Sequence, residues 1–228
     1  MATYAISDIH GCFNTFKALL EQIKLEKTDK LFILGDLIDR GSQSAQVVDH
    51  ILYLRSTGFD ITCLRGNHED FLLKCLNDVP EYLYWWFVNG GKITLKSYGN
   101  DATADWKSAI PKEHIDFYKA MPVIAFYENF VLVHAGLDFS KESPIRDTDE
   151  HTMMWERDFI CDSSKIQNKT LITGHTPTPL FPSISVMRDS GHVIIDNGCV
   201  FKDARGFGNL VALNLDNMEL FHVPNCEE

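Results

Sequence analysis

Five glycine-flanked segments of the chain carry side chains able to bind a cation: Ser7-Asp8-Ile9-His10-Gly11, Gly35-Asp36, Arg65-Gly66-Asn67-His68-Glu69, Val133-His134-Ala135-Gly136 and Gly174-His175-Thr176-Pro177. Aspartate, asparagine and histidine are hard to borderline donors, and no thiolate stands among them, a set suited to manganese, iron, zinc or magnesium. The donors suffice for two ions. Taken singly, each segment has an ordinary reading, since Asp8 or Asn67 would serve equally well as a turn former or as the cap of a following helix. The recurrence carries the argument, because a glycine beside each polar tip lets the backbone turn sharply next to a ligand.

The tips must be positioned by something, and each follows an apolar run of strand length. Tyr4 to Ile6, Leu31 to Leu34 and Ile61 to Leu64 read as buried strands. Helical spacing follows each of them: Phe13, Phe16, Leu19, Leu20 and Ile23, then Val47, Val48, Ile51, Leu52 and Leu54, then Phe71, Leu72, Leu73 and Leu76. This βαβαβα order implies right-handed crossovers and a largely parallel start to the sheet. In such sheets the carboxyl ends of the strands form the ligand crevice, so tips distant in sequence converge in space. Further on, VIAFYENFVLVHAG predicts a hairpin turning at Glu128-Asn129, and Thr170 to Thr173 another strand. Short strands are expected at Ser183 to Met187, His192 to Ile195, Leu210 to Leu215 and Glu219 to Val223. Strands in such a run suggest an antiparallel second sheet. Residues 78–111, rich in aromatics and broken at Asn89-Gly90-Gly91, read as a helical and loop excursion, either a packing satellite or a cap facing substrate.

The chain of 228 residues with 45% hydrophobic content is ample for one domain over residues 1–228 with a sizeable core. Its formal charge of -11 argues against nucleic acid or an anionic membrane as the main partner, since phosphate backbones need a basic face. No apolar run is long enough for a membrane span and the first residues lack a leader pattern, so a cytoplasmic protein is expected. The cysteines Cys12, Cys63, Cys75, Cys161, Cys199 and Cys226 form no CxxC pair and read as reduced structural thiols. Nothing in the sequence demands an oligomer.

The whole series resembles the calcineurin-like metallophosphoesterases, and within them the phosphoprotein phosphatase branch. The residues that carry the resemblance are Asp8-Ile9-His10, Gly35-Asp36-Leu37-Ile38-Asp39-Arg40-Gly41, Arg65-Gly66-Asn67-His68-Glu69, Val133-His134-Ala135-Gly136 and Gly174-His175-Thr176, and it runs from about Tyr4 to Leu215. It is most similar to bacterial and phage serine/threonine protein phosphatases. The resemblance implies an α/β fold in which two mixed β-sheets pack as a sandwich flanked by helices, with a dimetal site at the strand ends. One ion would be held by Asp8, His10 and Asp36 and the other by Asp36, Asn67, His134 and His175, with Asp36 bridging. Two ions about 3.5–4 Å apart hold a hydroxide made from water at neutral pH and polarise the phosphoryl oxygens. Manganese is the ion the resemblance favours, with iron and zinc as alternatives.

The resemblance also assigns roles around the ions. His68 would be the general acid that protonates the leaving alcohol, and Asp39 would orient it, fixing the tautomer and favouring the imidazolium. Arg40 and Arg65 would grip the phosphate oxygens through their planar donors. Arg157, in Trp155-Glu156-Arg157, matches the segment that supplies a further arginine, although Arg146 and Arg157 read equally as surface ion-pair partners. Glu69 would support the site from behind its ligands. Ser42-Gln43-Ser44 departs from the pattern where a proline often stands, a change in loop stiffness more than in chemistry. His50, His114, His151, His192 and His222 have no motif around them, and Trp85, Trp86 and Phe87 read as core.

Three functions are therefore weighed. The first is a metal-dependent phosphomonoesterase acting on phosphoserine or phosphothreonine, its substrate a phosphorylated protein or a small phosphate ester. The second keeps the site and changes the substrate, as in the symmetrical bis(5'-nucleosyl)-tetraphosphate hydrolases. These share Asp-x-His, Gly-Asp and Gly-Asn-His but commonly lack the aspartate before arginine, so Asp39 counts against that reading. The third is a non-catalytic scaffold, disfavoured by the presence of His68 and of every ligand.

Overall fold

The structure, a computed structural model, describes residues 1–102, 105–181 and 191–228. Strands β1 (Thr3–Ile6), β2 (Lys30–Ile33) and β3 (Asp60–Cys63) are connected through helices α1 (Phe13–Gln22) and α2 (Ser44–Ser56). They pair in parallel with Ile6 opposite Ile33 and Ile33 opposite Cys63, so all three strands end in step and deliver their tips to one edge. Alternation along each strand decides what covers the two faces. Tyr4, Ile6, Leu31 and Ile33 pack among the helices, whereas Ala5 and Phe32 point into the layer between the two sheets.

Helix α3 (Asn67–Leu76) leaves the third tip directly, and α4 (Pro80–Val88) and α5 (Gly91–Ser97) form the first part of the excursion. A short 3-10 turn at Trp106–Ala109 and helix α6 (Lys112–Ala120) return the chain to the body. The hairpin of β4 (Ile124–Tyr127) and β5 (Phe130–Val133) turns at Glu128-Asn129 as the sequence predicts, with Glu128 at φ 44. Helices α7 (Pro144–Asp147) and α8 (Glu150–Trp155) precede β6 (Thr170–Thr173), followed by β7 (His192–Ile194), β8 (Asn209–Asn214) and β9 (Leu220–Pro224).

Two sheets result, in the orders β3-β2-β1-β8-β9 and β4-β5-β6-β7. Both are mixed, which corrects the antiparallel second sheet suggested by the strand pattern. Among the described residues only β4 and β5 are antiparallel there, while β5, β6 and β7 run parallel with Leu132 opposite Ile172 and Ile172 opposite Val193. The reason lies in the connections: a two-residue turn forces antiparallel pairing, but the long path from β5 through α7 and α8 to β6 permits a parallel crossover. Strands β8 and β9 join the first sheet instead, antiparallel to β1 and to each other. Parallel β5 and β6 place His134 and His175 at the same edge. The expected strand at Ser183 to Met187 lies outside the described residues. Among the described residues no helix is long and apolar enough to cross a membrane, and the six cysteines are free thiols.

Candidate functional site

The tips are laced together by backbone before any side chain is considered. The amides of Ile9 and His10 donate to the Asp36 carbonyl, Gly11 to that of Leu37, and Gly41 to that of His10. Glu69, one turn into α3, reaches back with both carboxylate oxygens: Oε2 accepts from the amides of Asp36 (2.9 Å) and Gly66 (3.0 Å), Oε1 from that of Leu37 (2.8 Å). Burial and the nearby Asp36 raise the proton affinity of this carboxyl, to a pKa of about 7. A Glu69→Gln substitution would set an amide N–H against a backbone N–H, and a fully buried donor without an acceptor costs about 1–3 kcal/mol. The expected result is a lower urea midpoint at unchanged m-value.

His10, Asp36, Asp39, Arg40 and His175 all have φ between 47 and 71, the left-handed region that non-glycine residues sparsely populate. Such conformations cost about 1–3 kcal/mol each and persist where the surroundings fix them, typically at functional sites. Two glycines are required by close approach. A Cβ on Gly66 would lie 2.1 Å from Oδ1 of Asp36, and one on Gly174 2.2 Å from Oδ1 of Asp8.

Asp36 stands at the centre, with a different set of imidazoles on each of its oxygens. Oδ2 lies 3.6 Å from His10 Nε2 and 3.8 Å from His68 Nε2, whereas Oδ1 lies 3.5 Å from His134 Nε2. His10, Asp36 and His68 form one compact set able to hold an ion, and Asp36, His134 and His175 the other. Burial opposes ionisation of Asp36, but the imidazoles of His134, His68, His10 and His175 outweigh it and hold its carboxyl well below the usual carboxylate range.

The tautomers show that lone pairs, not protons, point inward. His134 Nδ1 donates to the Leu34 carbonyl (2.8 Å) and His10 Nδ1 to the Ile38 carbonyl (2.9 Å), so Nε2 of each ring is left as an acceptor. Nε2 of His134 then faces Asn67 Oδ1 at 3.0 Å and His175 Nδ1 at 3.1 Å. Nε2 of His134, Oδ1 of Asn67 and Nδ1 of His175 thus converge on one point, a donor set that fits a divalent metal held by nitrogen and oxygen. Burial pushes the affinities of His10 and His134 for protons down and that of His175 to a pKa of about 2, which keeps the rings neutral as ligands must be. Asp8 is buried beside these sets, with both carboxylate oxygens accepting from the His175 amide at 3.1–3.2 Å.

His68 differs from the other rings. Burial lowers its proton affinity, yet Asp36 and Asp39 more than compensate and raise it overall. Its Nδ1 is 2.7 Å from Asp39 Oδ2, while Nε2 is buried without a hydrogen-bond partner. A protonated imidazole so held presents one N–H to whatever occupies the site. Asp39 is itself fully buried and takes further donors that the sequence reading did not assign: the Trp86 indole N–H, 3.1 Å from each carboxylate oxygen, and the Thr94 hydroxyl, 2.5 Å from Oδ1.

The three arginines are placed differently. Arg40 Nη1 donates to His10 Nε2 at 2.7 Å, so its guanidinium lies against the His10 ring. Arg157 is exposed on the wall of a cleft of about 640 Å³ and lowers the proton affinities of His134 and His175 through its charge. Arg65 is turned to the end of α6, donating to the carbonyls of Lys119 (3.1 Å) and Met121 (3.2 Å), with Glu150 at 3.7 Å. No hydrogen bond or ion pair joins it to the ligand set among the described residues.

A sixth tip, Asp196-Asn197-Gly198 after β7, belongs to the same edge and has the same glycine-flanked form as the others. Burial, and the nearby Asp36, push the Asp196 carboxyl up to about 7, and its Oδ1 accepts from the Gly198 amide.

The profile of the Calcineurin-like phosphoesterase family matches residues 1–204. The chain belongs to that family. A symmetrical bis(5'-nucleosyl)-tetraphosphatase of Vibrio campbellii is 32% identical over 151 residues, 65% of this chain and 48% of the relative. One of Pseudomonas putida is 41% identical over 80 residues, 35% of this chain and 27% of the relative. The chain thus spans about half or less of the length of these relatives. Among solved structures, a candidate diadenosine tetraphosphatase superposes with a TM-score of 0.70 at 19% identity, over 99% of this chain and 94% of that one. A protein serine/threonine phosphatase of Saccharomyces cerevisiae gives 0.64 at 16%, over 100% and 81%. These likenesses show a shared fold. The buried histidine and aspartate sets of this calcineurin-like phosphoesterase are able to hold metal ions.

Proposed function

We propose that the protein is a dimetal phosphoester hydrolase whose own residues divide the work between ion binding, proton donation and anion binding. The observation that carries this is Asp36, whose two oxygens face two separate histidine sets. Asp8, His10 and Asp36 would hold one ion, and Asp36, Asn67, His134 and His175 the other. Bound there, divalent ions supply a water-derived nucleophile at neutral pH and neutralise charge on the phosphoryl oxygens. His68 keeps a proton at Nε2 for the leaving oxygen, and Asp39 holds the opposite nitrogen. Arg40 and Arg157 add positive charge on the open side, whereas Arg65 must leave the α6 carbonyls before it reaches a phosphate. Manganese is the ion to test first. One domain over residues 1–228 is part of this reading.

For the substrate, the named relatives support a symmetrical dinucleoside tetraphosphate, ahead of the phosphoprotein favoured by the sequence motifs alone. The Asp39–His68 pair at 2.7 Å supports the phosphoprotein reading. A serine alkoxide is a poor leaving group that needs a proton, while a nucleoside diphosphate leaves as a stable anion and gains little from an acid.

Metal-stripped protein should be assayed with and without manganese on diadenosine tetraphosphate and on a phosphoserine peptide. Manganese-dependent release of ADP alone is the result expected from the dinucleoside tetraphosphate reading. Turnover of the peptide without ADP release would reverse the order, and no turnover of either would remove the hydrolase assignment for this chain.

A further inference from the structure

We propose that Trp86 and Thr94, supplied by α4 and α5, are positioning residues for the Asp39–His68 pair, so that residues 80–97 set how well the leaving group is protonated. The inference rests on His68 acting as the acid. Trp86 packs against Trp106 at 5.2 Å between ring centroids, and a core role would account for its burial. It does not account for the indole N–H, a single donor that could meet any buried carbonyl and instead bridges both oxygens of the carboxylate hydrogen-bonded to His68 Nδ1.

Thr94 closes the arrangement. Its hydroxyl donates to Asp39 Oδ1, and the same oxygen accepts from the Asp39 amide at 2.9 Å. Oδ1 is thereby committed to Thr94, Oδ2 to His68, and the indole spans the pair, which fixes the carboxylate against rotation about χ2. Trp86, Thr94 and Asp39 are all fully buried, so no water substitutes for a lost donor. The excursion also presses its backbone on this point: Gly90, at φ +112, has no room for a Cβ, which would lie 2.4 Å from the Arg40 amide. An imidazole aimed by a freely rotating carboxylate would lose its alignment, and general acid catalysis depends on that alignment before anything else.

The test compares Thr94→Val, which keeps the shape and removes the hydroxyl, with Thr94→Ser, which keeps the hydroxyl, and with Trp86→Phe. The Asp39 amide retains Ser44 Oγ at 3.1 Å when Thr94 loses its oxygen, so the valine variant is expected to fold. Proton NMR of metal-free protein should show the His68 Nδ1–H far downfield, assigned by its absence from His68→Asn. That resonance is expected to move upfield or vanish in Thr94→Val and Trp86→Phe and to stay in Thr94→Ser.

With manganese, kcat on phosphoserine should fall about tenfold in Thr94→Val and Trp86→Phe, part of a general acid's whole contribution, while kcat on p-nitrophenyl phosphate, whose nitrophenolate leaves without protonation, changes less than about twofold. An unmoved resonance together with equal losses on both substrates would leave Trp86 and Thr94 as packing residues and overturn the proposal. Should His68→Asn itself lower both substrates equally, the acid reading fails first and the proposal falls with it.

Discussion

Asp36→Asn is expected to leave a folded protein that holds neither ion firmly and has lost at least about a thousandfold in turnover, the equivalent of about 4 kcal/mol of transition-state stabilisation. The asparagine keeps the size of the side chain and an oxygen able to accept from the His68 amide, now 3.1 Å from Oδ1. What it removes is the negative charge that both histidine sets share. The set of Asn67, His134 and His175 would depend on Asp36 for its one anionic oxygen, and the set of Asp8 and His10 would lose one of its two carboxylates. Metal content by mass spectrometry after desalting should therefore drop for both ions together. Loss of only one ion per chain would show that Asp8 suffices for its own set and that Asp36 does not bridge.

The sequence-level reading reached the site through a local signal, and the residues it missed lack such a signal. Asp8, His10, Asp36, Asn67, His134 and His175 each follow an apolar strand and lie within three residues of a glycine, and the in-step ends of β1, β2 and β3 bring the first tips together. Asp196-Asn197-Gly198 had the same form after His192 to Ile195 and was open to the same inference. Trp86 was not, because a tryptophan amid Tyr82, Tyr84, Trp85 and Phe87 reads as packing, and the destination of one indole N–H depends on how α4 lies over the second tip. Thr94 carries no local mark at all. The direction of β6 was equally hidden, since it is decided by the course of residues 134–169 and not by the composition of the strand.

The excursion consequently changes meaning. Its outward side chains Tyr84, Trp85 and Val88 are exposed, while Trp86 and Thr94 point inward to the carboxylate behind the acid. A packing satellite and a substrate cap were the two readings of residues 78–111, and the hydrogen bonds to Asp39 describe a third arrangement, a brace. The same segment also touches Ser44, the first residue of α2, through Thr94 Oγ1 at 3.2 Å. Three helices thus bond one buried carboxylate, and α2 meets the same residue at its amide.

His68→Asn is the second substitution with a large expected effect, and it separates proton donation from ion binding. Asparagine keeps the backbone amide that donates to Asp36 Oδ1 and removes the ring whose Nε2 is buried without a partner. If His68 is the acid, metal content and KM stay near those of the parent, while kcat on phosphoserine falls by about 10²–10⁴, the usual contribution of a positioned acid. Geometry alone also allows the ring to act as a ligand, since His10, Asp36 and His68 form a compact set. A ligand role would announce itself differently, as loss of one ion and an equal fall on every substrate. The leaving group then discriminates the two biological readings as well. On diadenosine tetraphosphate the departing ADP needs little protonation, so the variant should retain most of its turnover there, and the ratio of the two losses measures how much of the chemistry passes through the Asp39–His68 pair.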